Sequence, residues 1–549
     1  MRVSAAEKLN ELKALDARRL LGTLKSLKHT QPTIPFVIPT FSPGLIPMVS
    51  PVSSAFDNAA GNTSATGNTS VADFPSFASW AQYVSSHTNR SLAGSVLPSQ
   101  IFTTEESRLA AHNWGIILSD HASHQVSQAH NLTSDLVHPD YDVRALSGKE
   151  AMDYAQAHMP VSAGLLDLLQ SQGLNLHGVR IAACLILEPK TAVLLRLLKK
   201  AGAQVGVYCG PSSTDQRVAD QLKAEGIIVE ADSQWTNEEA HEAALRLLDE
   251  LHPDVIIDDG ASFTRLAALE RPELIANLRG VAEETTSGVR AFQAMQDAHA
   301  LTFPVIAVND SQLKTGFDNS HGTGETCVTT LQTLLGSDCF AGQNVTVVGY
   351  GPVGRGFAVR ARALGAHVSV CDVDPVAALK AAFDGFAAVE ISSVLPTTDM
   401  LVSATGVRHT VTVEHLQAMK NNAIVTVIGG IANEIALDDL GFTLTHQPVE
   451  QLKISTTQTL RLISDGDGVN YTAGGGNPIE IMDLSFAVQL SAVHALLTSS
   501  FTPGLHRLPG EADQKIAQIA LASRGFSASS AVKDNGYNWT LTRFAEAQS

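Results

Sequence analysis

Short apolar runs alternate with amphipathic stretches along most of the chain after His158. Residues 179–185 are predicted as a buried strand, 191–200 as a helix and 204–208 as a second strand. A strand, a helix and a strand in this order form a βαβ unit, which requires a parallel sheet. A further predicted strand, 254–260, ends in two carboxylates, and open α/β sheets bind ligands at that carboxyl edge.

A second region with the same pattern begins at Asn344. A strand over 345–348 runs directly into the glycine-rich turn 349–354, and helix-forming residues follow as far as Ala363. In such a unit the first glycine makes the tight turn, the second lets a pyrophosphate approach, and the third lets the helix pack closely. The helix N-terminus then faces the phosphates. The residues predicted to hold a dinucleotide here are Gly349, Gly351, Pro352, Val353 and Gly354.

The strand that follows the glycine-rich turn decides which dinucleotide is favoured. It spans 367–371 and ends at Asp372, roughly the ~20 residues downstream where a carboxylate binds the ribose hydroxyls. That carboxylate would repel a 2′-phosphate, so we predict NAD rather than NADP. The alternative is a purely structural glycine turn with a solvated Asp372. Strands over 400–406 and 423–428 complete the sheet, and the first of them ends in Thr405 and Gly406 at the cofactor edge.

The first hundred residues have a different pattern. Leucines at helical spacing predict one amphipathic helix over 6–28, and residues 32–75 are rich in Pro, Ser, Thr, Asn and Gly, which favours a linker. We therefore predict an α/β protein with two doubly wound parallel-sheet domains, one of them a Rossmann NAD-binding domain, and an N-terminal extension. The predicted boundaries are 1–107 for the extension, 108–324 with 481–525 for a substrate domain, 325–480 for the Rossmann domain and 526–549 for a tail.

Composition narrows the class of partner. The chain has 549 residues, 37 Lys and Arg against 55 Asp and Glu, and a formal net charge of −18, which disfavours nucleic acid and anionic membranes. We expect no stretch of the ~20 apolar residues that a membrane span needs. Five cysteines without a CxxC pair indicate neither a disulfide framework nor a zinc site, and they fit a reducing cytoplasm. Asp120, His121 and His124 lack a further ligand at fixed spacing, so we predict no metal.

Several motifs in one order give the chain a family resemblance. Together they run from about residue 159 to 525 and resemble the S-adenosylhomocysteine hydrolase family. The motifs are DDG at 258–260, EETTSG at 283–288, VNDSQLKTGFDN at 308–319, VVGYGPVGRG at 347–356 and SATG at 403–406.

The resemblance implies a chemistry that uses bound NAD without consuming it. In that family NAD oxidises a ribose 3′-hydroxyl, the ketone acidifies the neighbouring C–H, the 5′ substituent leaves, water adds, and the ketone is reduced back. An adjacent carbonyl delocalises the carbanion, so an ordinary side chain can remove that proton.

The resemblance also assigns roles to residues. Lys314 and Asp318 would handle the proton of the oxidised hydroxyl, while Asp259 and Glu284 would face the sugar. Lys314 and Asp318 are four residues apart and would share a face of a helix; the alternative is a plain surface ion pair. For Lys314 to act as a base it must be neutral part of the time. The neutral hydrogen-bonding residues matched to the nicotinamide half of NAD are Thr285, Thr286, Ser287, Asn319 and Asn470.

The chain departs from the family at the positions that handle the leaving group and the purine. Ile186, Glu188 and Lys190 stand where the family has a catalytic histidine, a threonine and a glutamate. A glycine within 428–430 replaces a second histidine, Asn477 replaces a third, and Thr323 replaces a cysteine. The candidate substrate residues are therefore Glu188, Lys190 and Asn477. Lys190 inverts a charge, so we expect it to favour an anionic group, and Glu188 is either a substitute acid or base or a solvated loop residue.

Two functions remain open at this stage. The first is an NAD-dependent enzyme that transiently oxidises a secondary alcohol of a nucleoside-like or sugar-like substrate, with S-adenosylhomocysteine hydrolysis itself disfavoured by the missing histidines. The second is a non-catalytic NAD-binding relative that acts through its N-terminal extension. A homo-oligomer, dimer or tetramer, is expected, although the tail lacks the lysine and tyrosine with which the family reaches a neighbouring subunit.

Overall fold

The computed structural model describes residues 74–119, 136, 139, 142–431 and 433–530. Four predicted features lie outside these residues: the helix over 6–28, the linker up to residue 73, the group of Asp120, His121 and His124, and the tail after residue 530.

The described chain begins with two helices and a small parallel strand pair. Helix α1 starts after Ser76, whose side chain accepts from the Ser79 amide in a capping box, and it ends at Asn89 in the left-handed conformation, with φ of 49°. The elements are α1 Phe77–Thr88, β1 Val96–Pro98, α2 Glu105–Asn113 and β2 Ile117–Ser119.

The next segment builds most of a parallel sheet with helices on both faces. Its strands are β3 Arg180–Cys184, β4 Gln204–Tyr208, β5 Ile228–Glu230, β6 Val255–Asp258, β7 Gly280–Glu283 and β8 Pro304–Ala307. Its helices are α3 Gly148–Ala157, α4 Pro160–Ser171, α5 Pro189–Lys200, α6 Gln216–Ala224, α7 Asn237–Leu251, α8 Ser262–Glu270, α9 Pro272–Ile275 and α10 Thr286–Asp297. A π-helix, Lys314–Thr323, then leads into α11 Gly324–Leu335.

The second sheet follows directly and carries the predicted glycine-rich turn. Its strand order is β11-β10-β9-β12-β13-β15-β14, and all its pairs are parallel except β14 with β15. The strands are β9 Asn344–Val348, β10 His367–Cys371, β11 Ala387–Ala388, β12 Met400–Ser403, β13 Ile424–Val427, β14 Val449–Lys453 and β15 Thr459–Ile463. The helices are α12 Pro352–Ala363, α13 Pro375–Phe383, α14 Ile391–Val394, α15 Val413–Ala418 and α16 Val469–Thr472.

The chain then returns to the first sheet. The closing elements are α17 Ile479–Thr498, β16 Gly504–His506 and α18 Gly510–Ser523. Strand β16 pairs in parallel with β8, which gives the first sheet the order β16-β8-β7-β6-β3-β4-β5. Two mostly parallel sheets, one of them with the strand–turn–helix dinucleotide unit, confirm the predicted α/β fold class.

One described helix has the length and composition of a membrane span, contrary to our sequence expectation. Helix α17 has 20 residues and a mean hydropathy of 1.4 in its most apolar window, of which 72% is buried inside the protein. Its apolar character is explained by its position, because it packs on α4, β6 and β7 in the core of the first domain. Its Asp483 carboxylate accepts from the amides of Val161 and Ser162, both at 2.7 Å.

The extension predicted for residues 1–107 differs from the structure in its last thirty residues. Helix α1 and the segment after it are part of a folded core, not of a low-complexity arm. The rings of Phe77, Trp80, Phe102 and Trp114 pack edge to face and belong to the same apolar cluster as the Rossmann strand β9. The spacing of the apolar residues in α1 and its capping serine are the signals that the sequence interpretation missed.

We expect Trp80→Ala to destabilise the Rossmann domain as well as α1. Trp80 is fully buried in the shared cluster, and truncation of a buried tryptophan costs about 3–5 kcal/mol. Trp80→Phe is the matched control, because the indole N–H has no hydrogen-bond partner and phenylalanine keeps much of the volume. Chemical denaturation measures the difference. Equal stabilities of the two variants would show that α1 does not contribute to this core.

Candidate active site

The carboxyl edges of the two sheets face a common cleft of about 490 Å³. Of the twenty residues predicted for catalysis, cofactor or substrate, sixteen line it. The exceptions are Gly349, Gly354 and Asp372, which lie in or behind the glycine-rich turn, and Lys190, which lines a neighbouring cavity.

Lys314 and Asp318 form a buried ion pair at this cleft. The distance from Lys314 Nζ to Asp318 Oδ2 is 2.9 Å, and both side chains are less than a tenth exposed. The π-helix widens the turn, so the Lys314 ammonium also reaches Asn319 Oδ1 at 3.0 Å. Asp318 accepts further bonds from Ser485 Oγ at 2.8 Å and from the Asn477 side-chain amide. The plain surface ion pair considered above is therefore excluded.

The charge state of Lys314 differs from what its expected role as a base requires. Burial lowers the pKa of Lys314, but the carboxylates of Asp318 and Glu284 more than offset burial and leave the pKa above its usual value. Lys314 is therefore an ammonium in this structure. A neutral Lys314 requires another positive charge to enter the cleft or a carboxylate to take up a proton.

Asp259 and Glu284 follow the adjacent strands β6 and β7, which places both carboxyls beside Lys314. Burial raises the pKa of Asp259, and Lys314 opposes that shift. Burial raises the pKa of Glu284 to about 8, again against the effect of Lys314. Gln489 Nε2 lies 3.5 Å from Glu284 Oε2. Glu284 is therefore a group that can hold or release a proton near neutral pH.

A buried glutamate that the sequence analysis overlooked braces both of these strand ends. Glu283 accepts from the amides of Gly260 and Ala261 at 3.0 Å and from the amide and hydroxyl of Thr285 at 2.9 and 2.8 Å. One carboxylate thus fixes the loops that carry Asp259 and Thr285. Its role depends on two loops meeting in space, so no local pattern in the sequence indicates it.

The glycine-rich turn has the shape that a dinucleotide requires. Gly349 has φ of 97°, and a Cβ on Gly354 would lie 1.9 Å from the Gly349 carbonyl oxygen, whereas a Cβ on Gly351 would meet nothing within 4 Å. The turn is therefore tight at the first and third glycines and open to the cleft at the second. Asp372 accepts from the Tyr350 amide at 2.6 Å, which holds its carboxylate beside the turn. These residues fit NAD.

A second overlooked glutamate organises the opposite rim. Glu434 accepts from the amides of Thr405 and Gly406, both at 3.0 Å, and from the hydroxyls of Thr405 and Ser403. The Arg290 guanidinium, which belongs to the first domain, donates to the Gly406 carbonyl at 3.2 Å. Glu434 and Arg290 thus fix the loop after β12 from both sides of the cleft.

The neutral residues matched to nicotinamide form three separate hydrogen-bonded sets along the cleft. Asn309 Oδ1 accepts from Thr286 Oγ1 at 3.0 Å and from Asn319 Nδ2 at 3.4 Å. Asn470 Nδ2 donates to Asn477 Oδ1 at 2.9 Å. Thr285 and Ser287 are joined through their hydroxyls at 3.2 Å. Asn309 is a further residue that the motif comparison did not single out.

Two of the residues that depart from the family, Glu188 and Lys190, lie where the cleft adjoins a second cavity, whereas Asn477 is bonded to Asp318. The Lys190 ammonium is buried and bonded to Glu188 Oε2 at 2.8 Å, Asn89 Oδ1 at 2.6 Å and the Gly475 carbonyl at 2.8 Å. An ammonium has three donors, so none remains for an anionic ligand. The expectation that Lys190 favours an anionic group is therefore wrong. Glu188 is not a solvated loop residue either, because its side chain is only 16% exposed.

The fold and the cleft define an NAD-binding α/β protein with a buried acid–base cluster opposite the dinucleotide turn. Sequence comparison gives the family. The model of the S-adenosyl-L-homocysteine hydrolase family matches residues 140–271, and the model of its NAD binding domain matches 321–476. The second match confirms NAD as the cofactor.

Curated relatives agree with the family models. The chain is 40% identical to the adenosylhomocysteinase of Pyrococcus abyssi over 408 residues, which are 72% of this chain and 95% of that protein. It is 37% identical to the S-inosyl-L-homocysteine hydrolase of Methanopyrus kandleri over 390 residues, 69% of this chain and 91% of that protein. The chain belongs to the S-adenosyl-L-homocysteine hydrolase family. Its relatives of this kind are hydrolases.

Two adjacent glycines after β13 provide a matched test of the Glu434 brace. A Cβ on Gly429 would lie 1.7 Å from Glu434 Oε1, whereas a Cβ on Gly430 would meet nothing within 4 Å. We expect Gly429→Ala to displace Glu434, cost about 1–3 kcal/mol of stability and weaken NAD binding. Gly430→Ala should match the wild type in stability and in affinity for NAD. Titration calorimetry with NAD and thermal unfolding measure the two effects, and equal behaviour of the variants would contradict the brace.

The raised pKa of Glu284 makes stability depend on pH. Between pH 4.5 and about 8 the unfolded chain loses the Glu284 proton and the folded chain keeps it, so the free energy of unfolding falls as pH rises. Glu284→Gln removes this loss. We expect the variant to gain on the order of 4 kcal/mol relative to wild type across that range, measured by denaturation at several pH values. The exposed Glu242→Gln is the control and should show no such trend.

Proposed function

We propose that this protein transiently oxidises a secondary alcohol of a nucleoside-like substrate with tightly held NAD. The alcohol is of the ribose 3′ type, and its oxidation enables elimination, hydrolysis or epimerisation at neighbouring carbons. The observation that carries the proposal is that the buried Lys314, Asp318 and Glu284 and the half-buried Asp259 line the same cleft as the glycine-rich turn.

The cluster suits the removal of a hydroxyl proton. NAD would accept the hydride from the carbinol carbon. The positive charge of oxidised NAD would favour a neutral Lys314, which can take the hydroxyl proton, and the Asp318 carboxylate, 2.9 Å from Lys314 Nζ, then stabilises the ammonium so formed. Asp259 and Glu284 offer acceptors for the hydroxyls of a ribose. The carbonyl so formed acidifies the neighbouring C–H, and Glu284, with a pKa of about 8, is suited to exchange that proton.

The net reaction depends on groups that this chain has replaced. Isoleucine at 186 and glycine at 429 and 430 cannot shuttle protons as an imidazole does. This supports a reaction in which oxidation and proton removal are retained and release of a thiol is assisted differently or not at all. The relatives named for S-adenosyl and S-inosyl thioethers make those two compounds the first substrates to offer.

A non-catalytic NAD-binding role is the second candidate. It is favoured by the same missing imidazoles, because a regulatory relative needs none of them. It is disfavoured by Lys314, whose burial among three carboxyls gives no benefit to a protein that only binds NAD.

Reduction of bound NAD separates the two candidates. We expect near-ultraviolet absorbance of reduced nicotinamide to rise when adenosine, inosine, S-adenosylhomocysteine or S-inosylhomocysteine is added to the NAD-loaded protein. Lys314→Met should slow this by a factor of about 10²–10⁴ while NAD stays bound. Lys453→Met, at an exposed position on β14, is the control and should leave the rate unchanged. Retained NAD that none of these alcohols reduces would favour the non-catalytic role.

A further inference from the structure

A second cavity of about 370 Å³ adjoins the cleft and shares with it Ile186, Glu188, Ser213, Tyr471 and Gly476. Residues of α1 and α11 line this cavity, whereas none of the residues matched to NAD does. The substrate end of the site is thus bounded by a thin wall. We call Glu188, Lys190 and Gly474–Gly476 the substrate wall.

The wall is thin because three consecutive glycines let side chains approach the backbone. A Cβ on Gly474 would lie 2.3 Å from Thr330 Oγ1, one on Gly475 would lie 3.0 Å from Asn89 Nδ2, and one on Gly476 would lie 2.9 Å from Glu188 Oε2. Any larger residue would displace one of these groups. The glycines therefore allow the side chains of Asn89 and Glu188 to lie close to this backbone segment.

Asn89 makes hydrogen bonds to Lys190 and Gly476 of the substrate wall and to the helix that follows it. Its Oδ1 accepts from Lys190 at 2.6 Å, its Nδ2 donates to the Gly476 carbonyl at 3.3 Å, and its backbone carbonyl accepts from the Ile479 amide at 2.9 Å. Asn89 has left-handed φ and ψ of 49° and 30°, a conformation that asparagine tolerates better than most residues. It lies before residue 140, where the family match begins.

The position of the Glu188 carboxylate depends on its ion pair with Lys190, and the position of the Lys190 ammonium depends on its hydrogen bond to Asn89. The ammonium bonds Glu188 Oε2 at 2.8 Å and has its other two donors on Asn89 and the Gly475 carbonyl. Glu188 lines both cavities, so its second carboxylate oxygen is then an acceptor where the cleft adjoins the second cavity. Without Asn89, Lys190 would lose one of its two fixed anchors and Glu188 would lose a fixed partner.

We propose that Asn89, from a segment outside the family core, is a positioning residue of the active site: it holds Lys190 so that the Glu188 carboxylate binds an uncharged, hydrogen-bond-donating group of the substrate. The ion pair has no net charge, which excludes an anionic group there. The part that concerns substrate rests on the function proposed above. The part that concerns Lys190 does not.

Asn89→Gly is the clean variant, because glycine adopts the same left-handed backbone without the side chain. Asn422→Gly is its control: Asn422 is an exposed asparagine with φ of 63°, on the Rossmann domain. The first measurement is acylation of lysines by an N-hydroxysuccinimide ester, read by peptide mass spectrometry in the NAD-loaded protein. We expect Lys190 to be protected in wild type and Asn422→Gly and to react at least tenfold faster in Asn89→Gly. Equal protection in all three proteins would overturn the proposal.

The second measurement uses nicotinamide reduction by adenosine and inosine. We expect Asn89→Gly to raise KM at least tenfold with kcat changed less than threefold and with NAD binding unchanged, whereas Asn422→Gly resembles wild type. A loss confined to stability, with KM unchanged, would overturn the positioning role. Wild type that reduces no nicotinamide while Lys190 is exposed only in Asn89→Gly would refute the proposed function and support the positioning of Lys190.

Asn89→Asp adds a readout that a merely structural residue would not affect. The new carboxylate keeps an acceptor for Lys190 but places a second negative charge near Glu188, which raises the pKa of Glu188. Burial already raises that pKa, against the effect of Lys190. In a plot of KM against pH, we expect the change on the acid side to move to higher pH in Asn89→Asp. An unchanged position would contradict the proposal that Asn89 acts on Glu188 through Lys190.

Discussion

The site depends on one buried ammonium that is outnumbered by carboxyls. Lys314 is surrounded by the buried Asp318 and Glu284 and the half-buried Asp259. The excess of negative charge raises the pKa of Lys314 and, together with burial, that of Glu284. A cleft of this charge attracts the cationic ring of oxidised nicotinamide, and the same ring would stabilise a deprotonated Lys314. In the proposed mechanism, cofactor binding and the strength of Lys314 as a base are thus coupled through the same charges.

Much of this arrangement could be predicted from the sequence because it depends on residues that are close together along the chain. The strand, turn and helix around Gly349 and Asp372 are contiguous, and the spacing of Lys314 and Asp318 places them on one helical face. Parallel strands end at one edge, so carboxylates after β6 and β7 had to meet. The family motifs then brought Lys314 and Asp259 into one site, which no spacing rule could do alone.

The remainder escaped prediction because it depends on contacts between distant segments. Glu283 and Glu434 act on loops that approach only in the folded chain. The sequence does not show that the Lys190 ammonium has hydrogen-bond partners on all three donors. One of these partners, Asn89, is 101 residues away along the chain. Helix α1, which contains Trp80, was not predicted because it directly follows a polar segment that was interpreted as a linker. In each case the role of a residue depends on the residue that it contacts in the folded chain, and its own type does not reveal that contact.

The close contacts at the two ends of the cleft differ in kind. The redox end is constrained on all sides: Gly429 has no room for a Cβ because Glu434 touches it, and Gly354 has none because of the Gly349 carbonyl. At the substrate end, a Cβ on Gly475 or Gly476 would instead meet the end of a side chain, that of Asn89 or Glu188. Such side chains can be replaced together with the glycine, whereas the Gly349 carbonyl cannot. Under the function proposed above, a change of substrate is therefore easier in this fold than a change at the dinucleotide turn.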